Sequence, residues 1–246
     1  MRERLSIVVL LLAVGFTVSP GAGRGNAAIL SATVTGYGSV PLVDDSFGSV
    51  QSALNFGGVT TTNNGITFVG TTVSGDPTSA TVASSPFTVE ISTPSPQVLR
   101  NDDAIAADPL FGSEIYSTAT APMSLVVGGL NPAVTYQFQF LHGEGRLGTV
   151  YNDGTITFTD SSGGTASEQL TFGTAGNNYA IVTVEVAATT SLTYDMPRTS
   201  GRGPSYSGMA VSAVPEPAIA TVGAAGLFCL LAFTRRFACT RRVGGR

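Results

Sequence analysis

The stretch AVTYQFQFL, residues 133–141, decides the fold. Val134, Tyr136, Phe138 and Phe140 alternate with Thr135, Gln137 and Gln139, a period of two that turns one face of a strand to a core and the other to water. The reading is a half-buried β-strand. Ahead of it MSLVV (123–127) is a second apolar run, and GGLNP (128–132) supplies the turn between them, since Gly, Asn and Pro each favour chain reversal. The same texture continues outward. Residues 29–35, 66–73, 87–92, 155–159, 168–172, 179–187, 191–194 and 207–214 read as further strands. Asn63-Asn64-Gly65 and Asn152-Asp153-Gly154 read as tight turns whose residues tolerate positive φ. No window carries a helical stripe, and residues 103–107 (DAIAA) suffice for a single turn. Many short strands between Gly- and Asp-rich turns, without a fixed-period repeat, predict an all-β fold: an antiparallel two-sheet sandwich with jelly-roll-like connections.

Two apolar ends flank this middle. Residues 1–28 read as a signal peptide: Arg2 and Arg4 form a basic start, 5–18 (LSIVVLLLAVGFTV) is an apolar core, and the small residues GAGRGNAA follow. Cleavage after Ala27 sets Gly25 and Ala27 at the positions where small side chains are needed; cuts after Gly23 or Ala28 fit nearly as well. Residues 29–213 are then one extracytoplasmic domain, of a size that carries its own core. Over residues 29–217, four arginines (Arg100, Arg146, Arg198, Arg202), no lysine and fifteen carboxylates leave a formal charge of −11. The whole-chain value of −4 hides this, because the other arginines sit in the two ends. Such a surface has no basic stripe to neutralise phosphates, so nucleic acid is excluded as a partner. Both cysteines, Cys229 and Cys239, lie near the C-terminus, which leaves the domain without a disulfide, a thiol nucleophile or a cysteine metal site.

Residues 214–246 have three parts in order. Val214-Pro215-Glu216-Pro217 comes first, then the uncharged apolar run 218–233, then Arg235, Arg236, Arg241, Arg242 and Arg246. As a helix the sixteen-residue run spans roughly 24 Å, a short transmembrane helix whose flanking arginines reach the interface and hold the tail on the cytoplasmic side. This arrangement resembles the PEP-CTERM sorting signal, and the resemblance covers residues 214–246 only. It implies recognition by an exosortase-type membrane peptidase, with processing near Val214, Pro215, Glu216 and Pro217. It also implies a single pass through the inner membrane before processing, then a place in the cell envelope, outside the cell or in an exopolysaccharide matrix. The hairpin entering 133–141 is similar to exported β-sandwiches of the galactose-binding-like or carbohydrate-binding type.

The chemistry on offer is sparse. His142, in HGEGR (142–146), is the single histidine, and with no GxSxG elbow to supply an activated serine it reads as a strand-end polar residue. Glu144, Glu168 and Glu185 are the candidates for a glycosidase pair, which needs two carboxylates across the scissile bond. Asp44, Asp45, Asp108, Asn152, Asp153 and Asp160 fall in turns, as do Asn101, Asp102 and Asp103, the first place to look for a structural Ca²⁺. Asp and Asn also close turns for purely conformational reasons. Tyr37, Tyr116, Tyr151 and Tyr206 are the candidate sugar platforms in a chain without Trp. Thr155, Thr157 and Thr159 make a row with the period of a solvent-facing strand. The expectation is a non-enzymatic structural or adhesive envelope protein with no required cofactor. A carbohydrate-binding module is the alternative and a secreted glycoside hydrolase the third reading.

Overall fold

The computed structural model describes residues 28–102, 108–118, 122–144, 154–171, 178–197 and 204–214. The expected transmembrane run and residues 1–27 of the expected signal peptide therefore lie outside the described residues, while Ala28, its last residue, already opens β1. Within them the fold is all-β. Seven strands form the larger sheet in the order β1 (Ala28–Tyr37), β13 (Asn178–Ala187), β10 (Thr135–Glu144), β16 (Gly208–Val214), β2 (Ser49–Phe56), β4 (Ile66–Thr71), β3 (Thr61–Asn63). Six form the second, in the order β12 (Thr165–Leu170), β11 (Gly154–Asp160), β14 (Ser191–Met196), β9 (Met123–Gly128), β6 (Thr88–Ser92), β5 (Ser79–Ala83). A small third sheet joins β15 (Ser205–Tyr206), β8 (Glu114–Ser117) and β7 (Leu99–Asp102).

The two large sheets face each other, and the alternation read in 133–141 is what joins them. Tyr136, Phe138 and Phe140 of β10 point inward, where Tyr136 meets Phe87, next to β6 of the facing sheet, and Phe140 meets Phe158 of β11 and Tyr194 of β14. The Phe140 and Tyr194 rings lie 4.6 Å apart, within the range of favourable aromatic pairs. Val89, Ile91, Leu125, Val127, Val182 and Val184 fill the same layer. Each such side chain, fully buried, contributes about 1.5–3 kcal/mol of transfer free energy. Leu99, Ile115 and Tyr206 bring the third sheet into this core as a cap over the end where β10 finishes.

Three features depart from the sequence reading. First, β10 is buried on both faces rather than half-buried: Gln137 and Gln139 are 1% and 3% exposed. It lies between β13 and β16, and its outer face is covered by a second cluster of Val43, Phe68, Leu110, Phe111, Leu141 and Tyr179. Second, β2 and β4 are parallel, pairing only Leu54–Phe56 with Val69–Thr71, whereas the other described ladders are antiparallel. The β3–β4 hairpin causes this, because β4 returns between β2 and β3. Third, β2, β3, β5, β7, β8 and β15 are strands that the apolar alternation does not mark. In β2 a register shift opposite Val211/Ser212 breaks the period; the others are short or polar.

Two of the predicted turns follow their signals. Asn64 (φ 49°) and Gly65 (φ 76°) form the β3–β4 hairpin turn with two positive φ values, and Gly129 (φ 81°) lies in the predicted reversal before β10. The ends of the described domain also coincide. Ala28 pairs with Ala187 and Val214 with Thr135, while Val186 and Tyr136 pair next to them. The chain thus enters and leaves at the same end of one sheet, three inter-strand steps apart, about 14 Å at 4.7–4.9 Å per step.

Candidate functional site

His142 is not the strand-end polar residue the sequence suggests. It sits on the inner face of β10 at 1% exposure, with its imidazole between two described elements. Nδ1 lies 3.1 Å from the Ser205 carbonyl, and Nε2 lies 2.9 Å from the Tyr194 hydroxyl. A carbonyl only accepts, so Nδ1 carries the proton and Nε2 accepts from Tyr194. Burial pushes the imidazole down to about 4, against a smaller upward pull from the Ser205 carbonyl. Tyr206 closes the group, its hydroxyl between the carbonyls of Met123 (2.9 Å) and Tyr194 (2.8 Å). The assembly is a neutral polar knot inside the core.

The carboxylates stay apart. Glu185 alternates with the core residues Val184 and Val186 and so faces outward from the larger sheet. Glu168 pairs with Ile156 and shares the inward face of Leu170 at the edge strand β12. The two lie on opposite sides of the larger sheet, and the structure does not bring them together. The Glu144 backbone ends β10.

The turn acids mostly close their own turns. Asp44 Oδ1 accepts from the Ser46 amide (2.8 Å), and Asp108 Oδ1 from those of Leu110 and Phe111 (2.9 and 3.0 Å). Asp160 Oδ1 accepts from Ser162 N, Ser162 Oγ and Gly164 N. Burial raises the Asp160 carboxyl, but these hydrogen bonds outweigh it and hold the group below its usual range. At the proposed calcium position, Asn101 faces the backbone instead: its Oδ1 accepts from Val73 N and its Nδ2 donates to Val73 O, at 2.9 and 2.7 Å. Asp102 is on β7 beside it; Asp103, Asn152 and Asp153 lie outside the described residues. Among the described residues no three His, Cys, Asp or Glu side chains are grouped to hold a metal.

Asn101 is one of several side-chain amides that pin irregular backbone in this way, a role the sequence did not reveal. Gln139 accepts from Asp44 N (2.9 Å) and donates to Asp44 O (2.6 Å), fixing 41–46 over the outer face of β10. Asn63 does the same for Val43 N and Pro41 O, and Asn55 donates to the carbonyls of Val59 and Pro109. Gln137 differs: its Oε1 and Nε2 are buried without a partner, as is Oγ of the paired Ser212.

The tyrosine platforms do not gather either. Tyr206 is fully buried, Tyr37 packs half-buried on the outer cluster, Tyr116 lies on β8, and Tyr151 is outside the described residues. The row Thr155, Thr157, Thr159 does face solvent, paired with Gln169, Ser167 and Thr165 on β12.

One concave surface stands out among the described residues. On one flank the sheets close, β1 lying against β12. On the other, the larger sheet runs on through β4 and β3, while β5 is the last strand of its partner. Ile66 and Phe68 of β4 turn to the outer cluster, so Thr67 and Val69 face the opposite side, toward 82–86. The result is an open groove of about 900 Å³. Asp45, Gln51, Asn64, Thr67, Val69 and Pro86 are on its walls. Nothing in the sequence signals it, because a strand with polar alternate residues looks the same whether they line a groove or a flat face.

No family model and no curated protein matches this chain. Among solved structures, the enzymatically active domain of bacteriophage CBA120 tailspike protein 4 is similar at 14% identity over 52% of this chain and 18% of that one, with a TM-score of 0.28. TmCBM61, solved in complex with beta-1,4-galactotriose, is similar at 14% identity over 48% of this chain and 89% of that one, with a TM-score of 0.20. Likenesses of this size leave function to be argued from the chain's own residues.

Proposed function

We propose that the chain is an exported, non-enzymatic component of the cell envelope or of an exopolysaccharide matrix, delivered by its signal peptide and handled at the inner membrane through the PEP-CTERM-like tail. The exosortase-type peptidase is its processing partner, acting at Val214, Pro215, Glu216 and Pro217, while Arg235, Arg236, Arg241 and Arg242 fix the orientation of the helix. The observation that carries this reading is the placement of Ala28 and Val214 at one end of one sheet. A chain tethered first through its signal and, after cleavage, through 218–233 is served by termini at one end of one sheet, and the pairing of Ala28 and Val214 there supports this reading. The acidic, lysine-free middle supports an extracytoplasmic role among neutral or cationic surfaces.

The second reading, a carbohydrate-binding module on a jelly-roll-like, galactose-binding-like sandwich, is favoured by the open groove beside β4. The two are compatible, since an adhesive matrix protein must hold polysaccharide somewhere. The sorting claim is tested by Glu216→Ala in the producing bacterium. A peptidase signal loses processing, and the full-length protein accumulates in the inner-membrane fraction; a plain anchor tolerates the change, and unaltered fractionation refutes sorting.

A further inference from the structure

The groove beside β4 has a chemical bias that names its ligand. Asp45 is exposed and makes no hydrogen bond to the described residues. Asn64 gives its Nδ2 to the Val43 carbonyl at 2.9 Å, and Gln51 gives its Nε2 to Ser49 O and Oγ at 3.1 and 2.8 Å. Each amide therefore keeps its oxygen unengaged, and with the carboxylate these form a wall of acceptors. No Arg, Lys or His lines the groove. The described residues hold one arginine, Arg100, paired with Asp76 at 2.9 Å. The lining also carries apolar surface: Val69 is 53% exposed, and Pro86 is exposed.

We propose that this groove binds a neutral polysaccharide chain, its hydroxyls donating to Asp45, Asn64 and Gln51 and a ring face resting on Val69 and Pro86. A polyol is dense in donors and carries C–H faces that bury well on aliphatic surface, which is what these walls accept. A polyanionic glycan meets a carboxylate, no counter-charge and the domain's negative field. An extended peptide is the other chain-like occupant, since β2 before Leu54 pairs with β16 on one side while its β4 ladder covers only Leu54–Phe56. The side-chain acceptors and the absence of any cation favour the glycan. This inference deepens the matrix reading, which supplies the place where such a chain is met; the groove chemistry is independent of sorting.

The experiment uses the full chain purified in mild detergent and titrated with a soluble neutral galactan, a neutral glucan, polygalacturonate and an unstructured neutral polypeptide. Saturable binding of a neutral glycan, with polygalacturonate not retained, is expected. Asp45→Ala should weaken it about tenfold or more, the loss of one hydrogen bond to a charged group. Val69→Trp, which sets a larger flat apolar face at the same exposed position, should tighten it. Matching unfolding midpoints for both variants control for folding, and Asp45→Ala alone carries the test if Val69→Trp does not fold. Failure to hold either neutral glycan overturns the proposal. So does equal binding of polygalacturonate, preference for the polypeptide, or binding that Asp45→Ala and a folded Val69→Trp leave unchanged. Loss of binding with normal envelope location rejects the groove alone, whereas a cytosolic protein that binds the glycan rejects the sorting reading alone.

Discussion

Replacing His142 by Gln tests the core at its most constrained polar point. In the folded chain the imidazole is neutral, donating from Nδ1 to the Ser205 carbonyl and accepting at Nε2 from Tyr194. Burial sets its folded value at about 4 against 6.5 in the open chain. Between those two values the unfolded state binds a proton that the folded state refuses, so stability falls as pH falls. The contribution is intact above about pH 6.5 and declines by about 1.4 kcal/mol per pH unit down to the folded value, roughly 3 kcal/mol in all. A Gln side chain offers the same donor and acceptor but does not titrate. Urea unfolding of residues 28–214, followed by circular dichroism from pH 7.5 to pH 4, measures the difference. The wild-type advantage over His142→Gln should shrink by about 3 kcal/mol across that range, while titrations shared by both chains, Asp160 included, cancel. Parallel stability curves would show that His142 takes up its proton equally easily in both states, which a buried imidazole wedged between Ser205 and Tyr194 does not allow.

Two glutamines on one face of β10 should respond in opposite directions. Gln139→Ala removes both hydrogen bonds to the Asp44 backbone and should cost about 1–3 kcal/mol, with faster hydrogen exchange at the Asp44 amide as its local signature. Gln137→Leu replaces a buried amide whose two polar atoms have no partner. It should raise the urea midpoint, by about 1–3 kcal/mol in stability, and destabilisation instead would mean that the amide is engaged. In cells, Glu216→Ala should leave the unprocessed chain in the inner membrane. In vitro, Asp45→Ala should weaken neutral-glycan binding without moving the unfolding midpoint.

What the sequence made legible was the interior of the sandwich. Tyr136, Phe138 and Phe140 alternate because they enter a layer shared with Phe158 and Tyr194, and that pattern needs no knowledge of partners. Gln137 and Gln139 look solvent-facing in the sequence because polarity marks water in most strands; here the outer face is covered by 41–46 and 108–112, which fold back from distant positions. The amide pins share this character, since a Gln that clamps backbone ninety-five residues away has the same local sequence as one in water. The parallel β2–β4 pair and the groove beside it arise from where the β3–β4 hairpin lands, a tertiary event with no periodic signal. The Asn64-Gly65 turn was legible because positive φ is a local demand that few residues meet.

The central claim is that this domain leaves the cytoplasm and loses both of its apolar ends. Intact-mass spectrometry of the protein recovered from the producing bacterium tests it most directly. The account predicts an envelope or extracellular species that starts after Gly23, Ala27 or Ala28 and ends near the 214–217 motif. A cytosolic species retaining the full 25.1 kDa would contradict it.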